Sequence, residues 1–241
     1  MNTQPTVWGG ANSGEGQFAG MGVAALIQAA IANLTAAIPD TSGIPTAVYL
    51  PGLQFSGSVA PGAAILQPAS LTITAWITAS GPQVGYPALV SYGLDTPPSY
   101  ESYILQAASV DGNSSAQMYF LTGTGVWSGS VYGTTKLQPN VQYFLTATYD
   151  AVAGVASILV DGLREGSLSI KPAPLYYPSG SGLGIGRKFS SAANNFTGSV
   201  SPAIYPVVLT DAQIYTLYQA GILSPHIPAA IAQLTSALAL L

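Results

Sequence analysis

Residues 141–166 read VQYFLTATYDAVAGVASILVDGLREG. Val141, Tyr143, Leu145, Ala147 and Tyr149 fall on every second position, the period that sends one set of side chains to one face of a strand. Further on, Asp161-Gly162 sits between two such runs. Both residue types tolerate positive φ, so the pair predicts a two-residue hairpin. Upstream, LTITAWIT at 71–78 repeats the pattern, with Leu71, Ile73, Ala75 and Ile77 on one face and Thr72, Thr74, Trp76 and Thr78 on the other. From Ala47 to Pro206 the chain keeps this texture of short alternating runs broken by Gly, Pro, Ser and Asn. That predicts many short antiparallel strands in two packed sheets.

The flanks read differently. Residues 1–20 (MNTQPTVWGGANSGEGQFAG) have no hydrophobic period and predict an extended arm. Val23, Ile27, Ile31, Leu34 and Ile38 then recur at helical spacing until Pro39 and Asp40. A short helix is predicted in LTDAQIYTLYQAG, with Thr210 and Gln213 as a capping box, Ile214, Leu217 and Tyr218 as the buried face and Gly221 as the stop. The tail IPAAIAQLTSALALL has Pro228 in a first turn and Ile231, Leu234 and Leu238 on one stripe. It repeats the first helix: Ala30–Ile38 is AIANLTAAI and Ala230–Leu238 is AIAQLTSAL. The expected organisation is 1–43 arm and apolar helix, 44–223 β-sandwich, and 224–241 apolar helix.

Only 6% of the 241 residues are charged and 49% are hydrophobic, against roughly 25% charged in an average soluble domain. Surfaces of Ser, Thr, Gln, Asn, Gly and Ala repel one another weakly and suit packing against neighbours. Five Lys and Arg with a net charge of −4 cannot neutralise a run of phosphates, which excludes nucleic acid as a partner. Cysteine is absent, so disulfides and thiolate metal sites are excluded. The N-terminus has no basic n-region of a Sec signal. The apolar stretch Met21–Ile38, interrupted by Gln28, Asn33 and Thr35, falls short of a membrane span.

The ordered phrases from about Leu53 to Gly221 resemble the laminin-G/concanavalin A-like family, in the jelly-roll version common in bacterial and phage surface proteins. They run LQFSGSVAPGAAIL with Phe55 and Gly57, LTITAWIT with Trp76, VQYFLTATYD, ASILVDGLREG, LGIGR at Leu183–Arg187, FTGSVSPAIYPVVLT and DAQIYTLYQAG. The resemblance implies an all-β, two-sheet antiparallel jelly-roll sandwich with short flanking helices at both termini. It does not choose a ligand, because this fold hosts glycan binders, protein binders, hydrolases and structural domains. The family's calcium rim is depleted here, with Asp95, Asp111 and Asp161 isolated.

Hydrolases on such a fold place two carboxylates about 5–9 Å apart across a cleft. No strand shows such a pair, and Glu101, the one glutamate in an evident strand, reads as a solvated strand-edge residue. His226, the single histidine, reads as a linker. In GLGIGRKF the alternating Gly182, Gly184 and Gly186 read as close strand packing rather than a phosphate loop, since no helix follows. Asp95 and Asp111 are the candidate calcium ligands, though both fit ordinary turn chemistry; no other cofactor is expected. For sugars, which stack on aromatic faces beside amides and hydroxyls, the candidates are Tyr92, Tyr100, Tyr103, Trp127 and Tyr132.

The reading is a non-enzymatic structural or decoration protein of an assembled particle, a virion or similar surface assembly, that displays a recognition domain. Its partners are further copies or other subunits held through Val23, Ile27, Ile31, Leu34, Ile38, Ile231, Leu234 and Leu238, with a glycan as a possible ligand. The alternative is a soluble or secreted carbohydrate-binding module.

Overall fold

A computed structural model describes residues 22–47, 58–61, 63–96, 99–110, 113–123, 126–191, 195–223 and 226–240. The N-terminal arm, Phe55, Gly57 and Asp111 lie outside the described residues, as do the side chains of Asp95, Tyr100 and Trp127.

The elements in order are α1 (Val23–Ala36), β1 (Ser58–Pro61), β2 (Leu71–Ala79), β3 (Ala88–Thr96), β4 (Ser99–Val110), β5 (Asn113–Thr122) and β6 (Val126–Tyr132). They continue with β7 (Gln142–Asp150), β8 (Val155–Val160), β9 (Leu163–Ser169), β10 (Gly182–Ile185), β11 (Gly198–Tyr205), α2 (Asp211–Leu223) and α3 (Ile227–Leu238). The strands form two antiparallel sheets, one ordered β1-β10-β3-β4-β5-β6 and the other β11-β2-β7-β8-β9. This is the predicted all-β sandwich.

The alternation at 71–78 and 141–150 has the predicted result. Leu71, Ile73, Ala75 and Ile77 join Tyr143, Leu145, Ala147 and Tyr149 in the core between the sheets, where Val90, Tyr92, Tyr103, Leu105, Met118 and Phe120 meet them. Val141 lies ahead of β7 and is exposed. The Asp161-Gly162 hairpin forms with φ of 50° and 79° at its two residues, and the Asp161 carboxylate accepts the Phe144 N–H at 2.8 Å. Burial pushes its pKa up, with that hydrogen bond opposing.

α2 lies on the outer face of the five-stranded sheet. Ile214 is fully buried there with Phe144, Leu159, Tyr205 and Leu209, and Trp76, Leu217 and Tyr218 pack beside them. The Thr72 hydroxyl fixes the approach, donating to the Val207 carbonyl and accepting the Leu209 N–H, both at 2.9 Å. The capping box is reciprocal: Thr210 N–H donates to Gln213 Oε1 at 2.9 Å and Gln213 N–H to Thr210 Oγ1 at 3.3 Å. Gly221 does not stop this helix, which runs on to Leu223.

The chain divides into two compact units, one holding α1 and α3, the other Asp40–Gln219. Within the first, α1 packs on α3, so the two similar segments pair within one chain. Their stripes are less covered than expected. Ile27, Ile31, Leu34, Ile231, Leu234 and Leu238 are half-buried, and Val23 and Ile38 are exposed. Two helices can cover only the sides they turn to each other. No described helix is long and apolar enough to cross a membrane.

Candidate functional site

Three tyrosines meet at the end of the sandwich where β2 begins. Tyr92 on β3 and Tyr103 on β4 are direct partners in the ladder, and their rings stack at 5.5 Å between centroids. Tyr177, in the segment before β10, stands edge-on to both, at 5.6 and 6.4 Å. All three hydroxyls are used on one short stretch. Tyr103 donates to the Leu66 carbonyl at 3.1 Å, Tyr177 donates to the Pro68 carbonyl at 2.7 Å, and Tyr92 accepts from Gln67 Nε2 at 2.6 Å. The cluster thereby pins residues 66–68 across the end of the core.

Tyr92 and Tyr103 are fully buried. Neither can offer a ring face to a ligand, which corrects their assignment as loop aromatics. β3 and β4 are longer than their turn-rich text implied and carry both rings inward. Tyr132 is exposed but stands on β6 in register with Gln117 on β5 and Gln106 beyond it, on the face turned away from the core. Tyr100 and Trp127 side chains, and the proposed calcium ligands Asp95 and Asp111, lie outside what is described; among the described residues no three His, Cys, Asp or Glu gather.

In front of the tyrosine cluster lies an open hollow of about 430 Å³, lined by Gln67, Tyr177, Pro178, Ser179, Gly180, Ser181 and Phe189. Its shape follows from local sequence. Gly182 has no side chain, and a Cβ there would fall 2.3–2.5 Å from the Phe189 ring, so this glycine lets the ring lie against β10. Gly184 admits the Arg187–Phe189 backbone in the same way, the close packing expected of these glycines. Gly180 has φ of 81° and turns the rim, where Ser181 Oγ donates to the Pro178 carbonyl at 2.6 Å. Tyr177 and Phe189 are partly exposed, while Gln67 and Ser179 are exposed. Two aromatic rings beside an amide and a hydroxyl make a surface for a ring-shaped ligand that is apolar on its faces and hydroxylated on its edges. Sequence reasoning missed Tyr177 and Phe189; the signal available was the pair Tyr176-Tyr177 running into the Pro-Ser-Gly-Ser-Gly turn.

Beside the hollow, Lys188 Nζ lies 2.9 Å from Glu101 Oε1, with side chains only 16% and 5% exposed. Glu101 is therefore not the solvated edge residue expected. A bulge in β4 sets it opposite Gly93 on β3, and the segment folded back over β10 brings Lys188 to it. Oε1 makes no conventional hydrogen bond, so the contact is a close ion pair. Glu165 also lies in a strand, β9, and its carboxylate is occupied by the N–H groups of Thr134 and Thr135, at 2.7 and 2.9 Å, and by the Thr135 hydroxyl.

The family model of the concanavalin A-like lectin/glucanases superfamily matches residues 54–215, and the chain belongs to that superfamily. No curated protein matches it by sequence. Among solved structures, it resembles the CBM40 of a Ruminococcus gnavus IT-sialidase bound to α2,3-sialyllactose, at a TM-score of 0.57 and 14% identity over 71% of this chain and 95% of that one. A heptameric SAP-like pentraxin from Limulus polyphemus gives 0.51 and 15% over 70% and 78%. A leech intramolecular trans-sialidase gives 0.56 and 12%, over 73% of this chain and 28% of that one. At these identities the likeness is one of fold.

Proposed function

We propose that the sandwich is a non-catalytic carbohydrate-binding module whose saccharide site is the hollow at the tyrosine-cluster end. The observation that carries this reading is the juxtaposition of the Tyr177 and Phe189 rings with the Gln67 amide and Ser179 hydroxyl. The R. gnavus module of similar fold, bound to sialyllactose, supports it. The two glutamates among the described residues are both engaged, Glu101 ion-paired under cover and Glu165 held by Thr134 and Thr135. The test is a glycan array on the full chain followed by calorimetry on the hits. Phe189→Ala and Gln67→Ala should each weaken binding about tenfold or more, measured below the thermal midpoint of each variant, since both side chains also pack or bond within the fold. An array without hits, or hits indifferent to both substitutions, would refute the assignment.

A second reading, self-association through the terminal helices, rests on the paired α1 and α3. Across both there is no charged residue, and Val23 at 62% exposure and Leu240 at 88% leave apolar surface uncovered. The partner in this reading is a second copy of the chain. The comparisons lend support to the carbohydrate-binding reading and none to a virion or decoration role.

A further inference from the structure

The Phe189 ring reaches the saccharide hollow on a strap of chain that doubles back over its own strand. Leu183 and Ile185 of β10 point into the core, so Gly182 and Gly184 face outward. Residues 186–189 then fold across that outward side. A Cβ on Gly184 would meet the Arg187 carbonyl oxygen at 2.3 Å and the Phe189 nitrogen at 2.8 Å, and one on Gly182 would strike the Phe189 ring. Gly186 makes the turn at φ 67°. Its N–H donates to the Leu89 carbonyl and its carbonyl accepts the Phe196 N–H, both at 2.8 Å. The buried Ser91 hydroxyl donates to the Arg187 carbonyl at 3.0 Å, which fixes the first half of the strap to β3.

The second half is fastened by charge. In the ladders Gly182 lies opposite Gly93, and Gly93 opposite Glu101, one row across β10, β3 and β4. The Lys188 backbone lies over Gly184 on β10, while its ammonium meets Glu101 on β4 at 2.9 Å. Neighbouring strands are about 4.8 Å apart, so this side chain crosses the whole of β3, and Gly93 puts no side chain in its way. Both partners are nearly covered, where salt screens little. A covered ion pair adds little net stability over an apolar pair. What this one fixes is the path of the residue next to Phe189.

We propose that Glu101 and Lys188 are positioning residues of the saccharide site, holding the Phe189 ring on Gly182 in the pose on which a sugar stacks. The role rests on the saccharide reading of the hollow. Neither residue lines the hollow, so both act through Phe189. A ring locked by its supports loses no rotamer freedom when the ligand arrives, which lowers the cost of binding.

The test uses the full-length protein and two measurements. NMR follows the Gly182 α-protons, which feel the ring current of Phe189; their position in Phe189→Ala marks the ring's absence. A concentration series of each variant on the glycan array gives relative affinities. Glu101→Gln should carry the Gly182 signal toward its Phe189→Ala position and weaken glycan binding about three- to tenfold. Lys188→Arg, which keeps a cation on the strap, should lose less on both counts than Lys188→Gln. Thr210→Ala, destabilising at a distance, should change neither. If Glu101→Gln fails to fold, Glu101→Asp, with the acid drawn back by one methylene, should give the same displacement in smaller measure. A Gly182 signal unmoved by the change at Glu101, an affinity loss without that movement, or equal losses in Lys188→Arg and Lys188→Gln would each overturn the proposal. Glycan binding that falls in Phe189→Ala and holds in Glu101→Gln ends the positioning role and leaves the saccharide reading intact; an array without hits, or hits indifferent to Phe189→Ala, ends both.

Discussion

The tyrosine cluster makes stability depend on alkaline pH. Burial, and then the neighbouring Tyr177 and Tyr92 phenols, push the Tyr103 hydroxyl well above its ordinary pKa. Burial first, then Tyr92, raises Tyr177. A raised folded pKa means that the unfolded chain gives up these protons first, near pH 10. Their stabilising effect is therefore complete below about pH 10 and declines as pH rises toward the folded values. Urea unfolding should show stability holding from neutral pH to about 10 and falling above it as the unfolded chain's phenols ionise first. Tyr177→Phe should make that fall shallower while costing about 1 kcal/mol at neutral pH for the lost bond to Pro68. A slope unchanged by the substitution would place the alkaline sensitivity elsewhere. The Glu101–Lys188 pair invites a different test. Lys188→Met would leave a carboxylate under cover without its counter-charge, and a loss of about 3 kcal/mol is expected by thermal or chemical denaturation.

At the scale of elements, the β8–β9 hairpin and α2 depend on one another. A Cβ on Gly162 would fall 2.8 Å from Tyr215 Cδ2 and 3.1 Å from its Cα, and the residue sits at φ 79°. Gly162→Ala therefore combines left-handed strain with a clash against the helix, and a cost of about 2–4 kcal/mol is expected. Arg164 adds a two-pronged contact to Asp211 in the helix's first turn, at 2.9 and 2.5 Å. Thr210→Ala, which removes only the cap, should cost about 1 kcal/mol. These features were legible because the rules behind them are local: Asp-Gly tolerates positive φ, Thr-x-x-Gln closes a box, and alternation at 71–78 sets its aliphatic side chains on the face between the sheets. The site was legible only in chemical type. Which face Tyr92 and Tyr103 take depends on the register of β3 with β4 and on the bulge at Glu101. Phe189 reaches the hollow because a glycine on a different turn of chain, Gly182, makes room for it. Neither fact has a short-range signature. Glu101 was misread for the same reason, since its partner lies 87 positions along the chain, on a segment whose path no local pattern announces.

For the whole molecule, the decisive question is whether the sandwich stands without the helical pair. Its core draws on every strand from β2 to β11, and the saccharide hollow is lined wholly from within Asp40–Gln219. α1 and α3 contribute no residue to that core, and apart from Ile227 none of their residues is fully buried. A chain of residues 44–223 keeps all of α2, including the part beyond Gln219, and keeps Ile44 and Ala47 against the Phe144–Ile214 cluster. It loses two backbone acceptors, the Gly43 carbonyl that takes a hydrogen bond from Gln213 at 3.2 Å and the Thr41 carbonyl that takes one from the Ile44 N–H at 3.0 Å, at a cost of about 1 kcal/mol each. The truncated chain should therefore fold cooperatively with a thermal midpoint within several degrees of the full chain, and it should bind the same glycans. The helices should matter for association instead. Burying one Leu or Ile is worth roughly 1.5–3 kcal/mol, and the half-covered stripes of α1 and α3 retain part of that drive for a second copy. Light scattering on both chains separates the two roles: a full chain that associates and a truncated chain that stays monomeric assign association to the helices. Equal masses would remove the self-association reading and leave the carbohydrate-binding reading to stand alone.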